Sequence, residues 1–272
     1  MKATFVGGGN MASAIIGGLV SHGAAATDLR VVEPLDPQRE RLASRFAGLG
    51  LHAAVQAAAF DGADLVVLAV KPQQMREAAR QLAPFVAAIP LLLTIAAGVR
   101  CADLARWLGG YGRIVRAMPN TPALIGAGIS ALYATPEARA SAATAARVLE
   151  ACGEVIWCEH ERDLDAVTGV SGSGPAYVFY FLEALERAAV ELGLEPSDAR
   201  RLAYATFDGS VRLARQSSEA PAALRANVTS KGGTTARALE VLDAADVGGH
   251  FIAAVKAAAA RAAELGDENA ID

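Results

Sequence analysis

Two short stretches of this sequence carry residue types at spacings that can do chemistry. The first is Gly7-Gly8-Gly9-Asn10-Met11-Ala12, directly after the apolar run Ala3–Val6. Its spacing, Gly7-x-Gly9-x-x-Ala12, is that of a strand-to-helix turn which cradles a dinucleotide pyrophosphate. Gly7 makes the tight turn, Gly9 has no Cβ to hold a phosphate away, and Ala12 lets the helix sit close to the strand. The free N–H groups and dipole at the helix start favour the negative charge. A plain structural turn also fits the glycines alone; the position between strand and helix favours the dinucleotide. The second stretch is Asn227-Val228-Thr229-Ser230-Lys231-Gly232-Gly233-Thr234-Thr235. Hydroxyls, glycines and a helix start converge there, which suits a small carboxylate, although Thr234 or Thr235 also reads as an ordinary N-cap.

Other positions follow from these. Glu33 stands about 20 residues after Ala12, where the fingerprint expects an acidic residue on the adenosine ribose. A carboxylate there accepts ribose hydroxyls and repels a 2′-phosphate, by about 4 kcal/mol per unit charge at about 4 Å and an effective dielectric of about 20. Arg30, Arg39 and Arg41 lie close enough in sequence to offset it, so NADH versus NADPH stays open. The run Leu65–Val70 ends in Lys71-Pro72-Gln73, and Leu91–Ile95 ends in Ala96-Ala97-Gly98, where small residues leave room for a ring. Ligands sit outside the carboxyl ends of such strands. The stretch Thr168–Pro175 reads either as an anion nest or as a loop where two helices cross, with packing preferred. No G-x-S-x-G elbow, phosphate-binding Walker loop or H-x-x-x-H pair occurs, and His22, His52, His160 and His250 show no metal-ligand spacing. Hydride transfer to a carbonyl usually needs a positioned acid such as His or Lys, and only Lys231 is conspicuous in the helical half. That absence favours an already protonated C=N as acceptor.

The elements that position these residues alternate. Strands are expected at Ala3–Val6, Leu29–Val32, Leu65–Val70, Leu91–Ile95, Arg113–Met118, Ile129–Tyr133 and Glu154–Trp157, with helices following Met11 and over Arg39–Phe46 and Pro136–Ala151. After His160 the strand signals vanish. Helices are expected over Ala176–Leu192, Ser197–Gln216, Ala222–Asn227, Thr234–Asp243 and Phe251–Leu265. The fold class is α/β: a doubly wound, Rossmann-like sheet domain over residues 1–160, then an all-helical domain over 161–272. Five or six helices in about 110 residues make a thin core for a lone chain, so this half is expected to form an intimate dimer.

Composition narrows the function classes. The chain has 272 residues, 53% hydrophobic and 20% charged, with a net charge of −4, so a sizeable core is expected and disorder is not. No basic patch and an aromatic share of 6% argue against nucleic acid as partner. Pro84, Pro90 and Gly98 interrupt the uncharged stretch 81–99, so no membrane span is expected, and Met1-Lys2 leads into a strand rather than a signal sequence. The 3 cysteines, Cys101, Cys152 and Cys158, lack CxxC spacing and point to a reducing compartment, the cytoplasm.

With these pieces in order, the chain resembles the pyrroline-5-carboxylate reductase family along nearly its whole length. The matching segments are Gly7–Met11, Ala69–Gln73, Ala96–Val99, Arg116–Pro122, Ala166–Tyr177 and Val228–Thr235; the last two are far more specific than the glycine turn. The resemblance implies reduction of 1-pyrroline-5-carboxylate to L-proline by NADPH or NADH, the last step of proline biosynthesis. It implies a cofactor held by Gly7, Gly8, Gly9, Asn10, Met11, Ala12, Ala69, Val70, Lys71 and Pro72. Ala96, Ala97 and Gly98 would lie beside the nicotinamide, and Glu33 and Gln56 at the adenosine end. The substrate carboxylate would meet the backbone of Ser230, Gly232, Gly233 and Thr234, and the Thr235 hydroxyl the ring nitrogen. Asn227 and Glu161 would line the pocket, and the assembly would be a homodimer or a ring of dimers. Lys231 stands where many members carry Pro, Gln56 where many have Asn, and Glu33 where many have Ser, Thr or Asn. The alternatives are a reductase of another small cyclic imine or carboxylated substrate, and a non-catalytic nucleotide-binding protein.

Overall fold

Leu65–Leu68 (β4) has no exposed surface at any of its residues, as a run of branched and apolar side chains buried on both faces requires. A computed structural model describes residues 1–270, and around β4 it shows an eight-stranded sheet. The other strands are β1 (Ala3–Val6), β2 (Leu29–Val32), β3 (Gly50–His52), β5 (Leu92–Thr94), β6 (Ile114–Met118), β7 (Gly128–Ala134) and β8 (Gly153–Trp157). Their order is β3-β2-β1-β4-β5-β6-β7-β8. All neighbours pair in parallel except β6 and β7, which run antiparallel. Phe5 stands opposite Val31 on one side and Val67 on the other, so β1 lies where the strand order reverses. Ligand crevices of doubly wound sheets open at that point.

The helices are α1 (Asn10–Ser21), α2 (Asp36–Arg45), α3 (Ala57–Phe60), α4 (Pro72–Leu82), α5 (Cys101–Trp107), α6 (Ala142–Glu150), α7 (Asp163–Val167), α8 (Gly174–Glu191), α9 (Pro196–Gln216), α10 (Pro221–Asn227), α11 (Thr234–Ala244) and α12 (Val247–Ala270). Two apolar clusters form the core of the sheet. One joins Phe5, Ile15, Ile16, Leu42 and Leu149; the other joins Val66, Met75, Ala79, Leu82 and Leu104.

Several elements differ from their sequence pattern. The strand expected over Leu65–Val70 ends at Leu68; Ala69 still donates its N–H to Val6 C=O at 2.8 Å before the chain turns towards the helix that Pro72 opens. Helix α2 starts at Asp36 because Pro37 suits a first turn. The expected helix Pro136–Ala151 is a 3₁₀ turn, Pro136–Ala138, followed by α6. Strand β3 has only half-buried residues at the sheet edge and too short a run to show alternation. The expected loop at Thr168–Gly172 is a π-helical turn joining α7 to α8. Ser173 N–H donates to Thr168 C=O at 2.8 Å, and the Thr168 and Ser171 hydroxyls turn back to Leu164 and Val167 carbonyls. Those backbone groups are therefore used by the helix itself and form no open anion nest.

The chain divides into two compact units: residues 1–173 together with those from Lys256 onward, and Gly174–Val255. The last two residues of the helical domain read from sequence lie outside the described residues. Within Gly174–Val255, Phe251 meets Tyr177 and Phe181 edge-on with ring centres 5.6 and 5.7 Å away. Only Ala199 and Ala203 are fully buried there, while Phe179 is 63% exposed and Leu192 83%. A lone copy of this unit leaves large apolar side chains in water.

Candidate active site

The glycine turn sits at the carboxyl end of β1. Gly7 has φ of +98°, and a Cβ there would lie 2.8 Å from the Ala69 carbonyl oxygen; its N–H donates to Val32 C=O at 2.9 Å. Only glycine fits so close to the neighbouring strand in this conformation. Gly9 holds the cap position of α1, and a Cβ on it would point into open space. That open space is what a pyrophosphate approaching the first turn of α1 needs. Ala12 is fully buried, as close helix-to-strand packing requires, while Asn10 is exposed and Met11 half-buried.

A cleft of about 690 Å³ opens beside this turn. It is lined by Gly7–Gly9, Glu33, Ala69, Val70 and Lys71 among the expected residues. Asn10, Met11, Ala12, Pro72, Ala96, Ala97 and Gly98 are not among its lining residues. Neither is Gln56, whose amide meets His52 Nδ1 at 2.9 Å. Its neighbours Ala53, Ala54 and Val55 do line the cleft, as do Leu35, Gln74, Glu77 and Gln81, which sequence reasoning missed. Leu35 left little trace in the sequence; its 65% exposure at the cleft shows only in the structure. Burial and the nearby Arg30 charge push the pKa of the His52 imidazole down.

Glu33 follows β2 and is 7% exposed. Its Oε2 accepts the Gly8 N–H at 2.9 Å and its Oε1 the Leu35 N–H at 3.0 Å. The carboxylate thus ties the glycine turn to the end of β2. Lys71 takes the cap position before α4 and is exposed. After β5, Thr94 Oγ1 accepts the Ala96 N–H at 3.4 Å, and Gly98 turns with φ of +68°.

Glu161 lies in the sheet-bearing unit. Its Oε1 accepts the Cys101 N–H at 2.7 Å and pairs with Arg116 Nη1 at 3.0 Å. Arg116, with a side chain 4% exposed, also meets Asp165 at 3.6 Å. Such a buried cation is tolerable only with its carboxylates in place. Burial first, then the Glu161 carboxylate, drives the Cys101 thiol far above its ordinary range.

Asn227, Ser230, Gly232, Gly233, Thr234 and Thr235 come together in the helical unit. Asn227 ends α10, and its Nδ2 donates to Glu219 Oε2 at 3.1 Å, a partner the sequence did not suggest. Gly232 turns with φ of +71°. A Cβ on Gly233 would lie 2.4 Å from Ser230 Oγ, so any larger residue there would push the Ser230 hydroxyl aside. Gly233, not a threonine, holds the cap position of α11, and no side chain caps the first turn. No acidic residue stands in that turn either. The amides of Thr234 and Thr235 therefore open a positive helix end, with the Ser230 hydroxyl beside it. Lys231 is exposed.

A parallel-dominated sheet, a glycine turn at its reversal point and a cleft there define a dinucleotide-dependent oxidoreductase of the Rossmann type. Comparison with known proteins agrees. Residues 2–98 match the family model "NADP oxidoreductase coenzyme F420-dependent", and residues 161–265 match "Pyrroline-5-carboxylate reductase dimerisation". The chain is 41% identical over 268 residues to a pyrroline-5-carboxylate reductase of Pseudomonas aeruginosa, covering 98% of this chain and 97% of the relative. It is similar to the solved structure of the Coxiella burnetii pyrroline-5-carboxylate reductase, with a TM-score of 0.90, 36% identity and coverage of 97% and 98%. The Plasmodium falciparum pyrroline carboxylate reductase, solved with NADP bound, matches with a TM-score of 0.86, 28% identity and 98% of each chain covered. This chain belongs to the pyrroline-5-carboxylate reductase family.

Proposed function

We propose that this protein reduces 1-pyrroline-5-carboxylate to L-proline with NAD(P)H, the closing step of proline biosynthesis. The observation that carries the reading is the uncapped, glycine-led first turn of α11 in a chain that also holds a dinucleotide turn with open space over Gly9. When bound, the nicotinamide would supply a hydride for the imine carbon of the pyrroline ring, the carbon on the side of the nitrogen away from the carboxylate, and the protonated C=N that accepts it becomes the secondary amine of proline. The chain's own residues bind and orient. Gly7–Ala12 and Ala69–Pro72 hold the cofactor, Glu33 and Gln56 flank its adenosine end, and Ala96–Gly98 leave space for its ring. The Ser230, Gly232, Gly233 and Thr234 backbone takes the substrate carboxylate. Thr235 orients the ring nitrogen, with Asn227 and Glu161 shaping the pocket. Positioning of this kind supplies up to about 7–11 kcal/mol in favourable cases.

The exposed apolar side chains of the helical unit support a homodimer, and rings of dimers extend the same reading. No helix among the described residues is long and apolar enough to cross a membrane, and the uncombined cysteines suit the cytoplasm. The test follows loss of reduced-nicotinamide absorbance on adding 1-pyrroline-5-carboxylate, with gel filtration alongside. Turnover with L-proline as product supports the assignment. A folded, nucleotide-binding protein that turns over another cyclic imine but not this one would overturn it.

A further inference from the structure

The sequence leaves the cofactor's phosphorylation state open, because arginines near Glu33 in the chain could neutralise it. The structure shows where those arginines go. Arg39 Nη1 donates to the Glu33 backbone carbonyl at 2.6 Å, and its Nη2 is paired with Asp36. Arg30 donates to the carbonyls of Ala59 and Asp61, at 3.5 and 2.6 Å. Arg41 is exposed on α2 and is not part of the cleft lining. The cation that does line the cleft, Lys71, follows β4, two strands from β2 and therefore roughly 10 Å across the sheet.

Glu33 itself cannot turn aside. Both carboxylate oxygens are held by backbone N–H groups, of Gly8 and Leu35, and its own N–H donates to His52 C=O at 2.9 Å. It lines the cleft while being 7% exposed. Each carboxylate oxygen keeps a further lone pair, and an unmodified ribose diol has hydroxyl hydrogens to offer it. A 2′-phosphate has none, and it brings negative charge to a fixed, poorly solvated carboxylate.

We propose that Glu33 selects the dephospho dinucleotide, so that this reductase uses NADH in preference to NADPH. The proposal rests on the cleft at Gly7–Gly9 being the cofactor site. Unit charges about 4 Å apart at an effective dielectric of about 20 repel by a factor of several hundred in affinity. Solvent at the cleft mouth reduces the expected preference to about 50-fold.

The experiment uses the full-length protein. Dissociation constants for NADH and NADPH are measured without substrate, and kcat/KM for each with 1-pyrroline-5-carboxylate. Wild type, Glu33→Gln and Glu33→Ser are compared at low and high salt. The expected result is NADH preference in wild type, a salt-sensitive penalty for NADPH, and collapse of the preference by at least about tenfold in both variants. Glu33→Gln keeps the side-chain shape, and its thermal midpoint tells loss of charge from loss of fold. Equal or better binding of NADPH by wild type overturns the proposal, as does a preference unchanged in a folded Glu33→Gln protein. Binding of neither nucleotide overturns it together with the cleft assignment. If nucleotides bind but the imine is not reduced, the functional reading fails while the ratio of dissociation constants still decides for or against Glu33.

Discussion

The side-chain amide of Asn269 donates to the backbone carbonyl of Gly98 at 2.8 Å, joining residues 171 apart in sequence. Arg100 and Arg106 reinforce the contact. Arg100 reaches the Ala263 carbonyl at 3.3 Å and Asp267 at 2.7 Å, and Arg106 reaches the Ala270 carbonyl at 2.9 Å. A Cβ on Gly98 would come within 3.2 Å of Leu265 and of the Asn269 amide. The final turns of α12 thus brace the turn after β5, the one proposed to lie beside the nicotinamide.

Replacing Asn269 with Ala removes that brace and leaves the arginine contacts in place. The expected cost in stability is about 1 kcal/mol, typical of a single hydrogen bond. Kinetically, the KM for the reduced cofactor rises several-fold while the KM for the imine changes little. Steady-state kinetics with both substrates varied, beside a urea titration, check this. An unchanged cofactor KM would detach the tether from function.

Gly7 and Gly9 should answer substitution differently. Gly7→Ala sets a Cβ against the Ala69 carbonyl at a positive φ, so it should destabilise the fold by about 1–3 kcal/mol and impair cofactor binding with it. Gly9→Ala points into open space, so the unfolding midpoint should hold while nucleotide affinity drops by about tenfold or more. Calorimetry of unfolding and of NADH binding on the same samples separates the two effects. If Gly9→Ala binds nucleotide normally, the pyrophosphate does not pass over Gly9.

Thr235 stands in the first turn of α11 with its helix amides uncapped. Thr235→Ala should lower kcat/KM for the imine by about 10- to 100-fold, the size expected for one lost hydrogen bond to a charged ring nitrogen. Thr235→Ser, which keeps the hydroxyl, should restore most of it. Full activity in the alanine variant would remove Thr235 from the mechanism.

Cys152 offers a pH readout of packing. It is 2% exposed, its thiol contacts the Ala14 carbonyl at 3.4 Å, and burial raises its pKa from 9.0 to about 11. A thiol in the unfolded chain therefore loses its proton before the folded one does. Its contribution is fully present below about pH 9 and is lost as pH rises towards 11, amounting to about 3 kcal/mol. Urea midpoints measured from pH 8 upward should fall, and Cys152→Ala should flatten part of the decline. Cys101, shifted in the same direction, supplies a remainder.

What the sequence alone determined lies in local pattern. The short, mostly apolar segments of β1, β2 and β4, the glycine spacing at Gly7–Ala12 and the prolines that open helices act within a few residues of themselves. The substrate loop was likewise legible as hydroxyls and glycines leading into a helix. The tertiary structure decided what depends on contacts across the chain. Gly233 rather than Thr234 caps α11, and Thr168–Gly172 winds into a helix instead of a loop. Glu161 is engaged by Arg116, Asn227 by Glu219, and Glu33 by the Gly8 amide. Arg39 and Arg30, both near Glu33 in sequence, are turned to backbone carbonyls by the positions of α2 and α3. Periodicity reports which face of an element is buried. It carries no information about which distant donor will meet a given carboxylate, because that is set by where the sheet order and helix packing place the two ends.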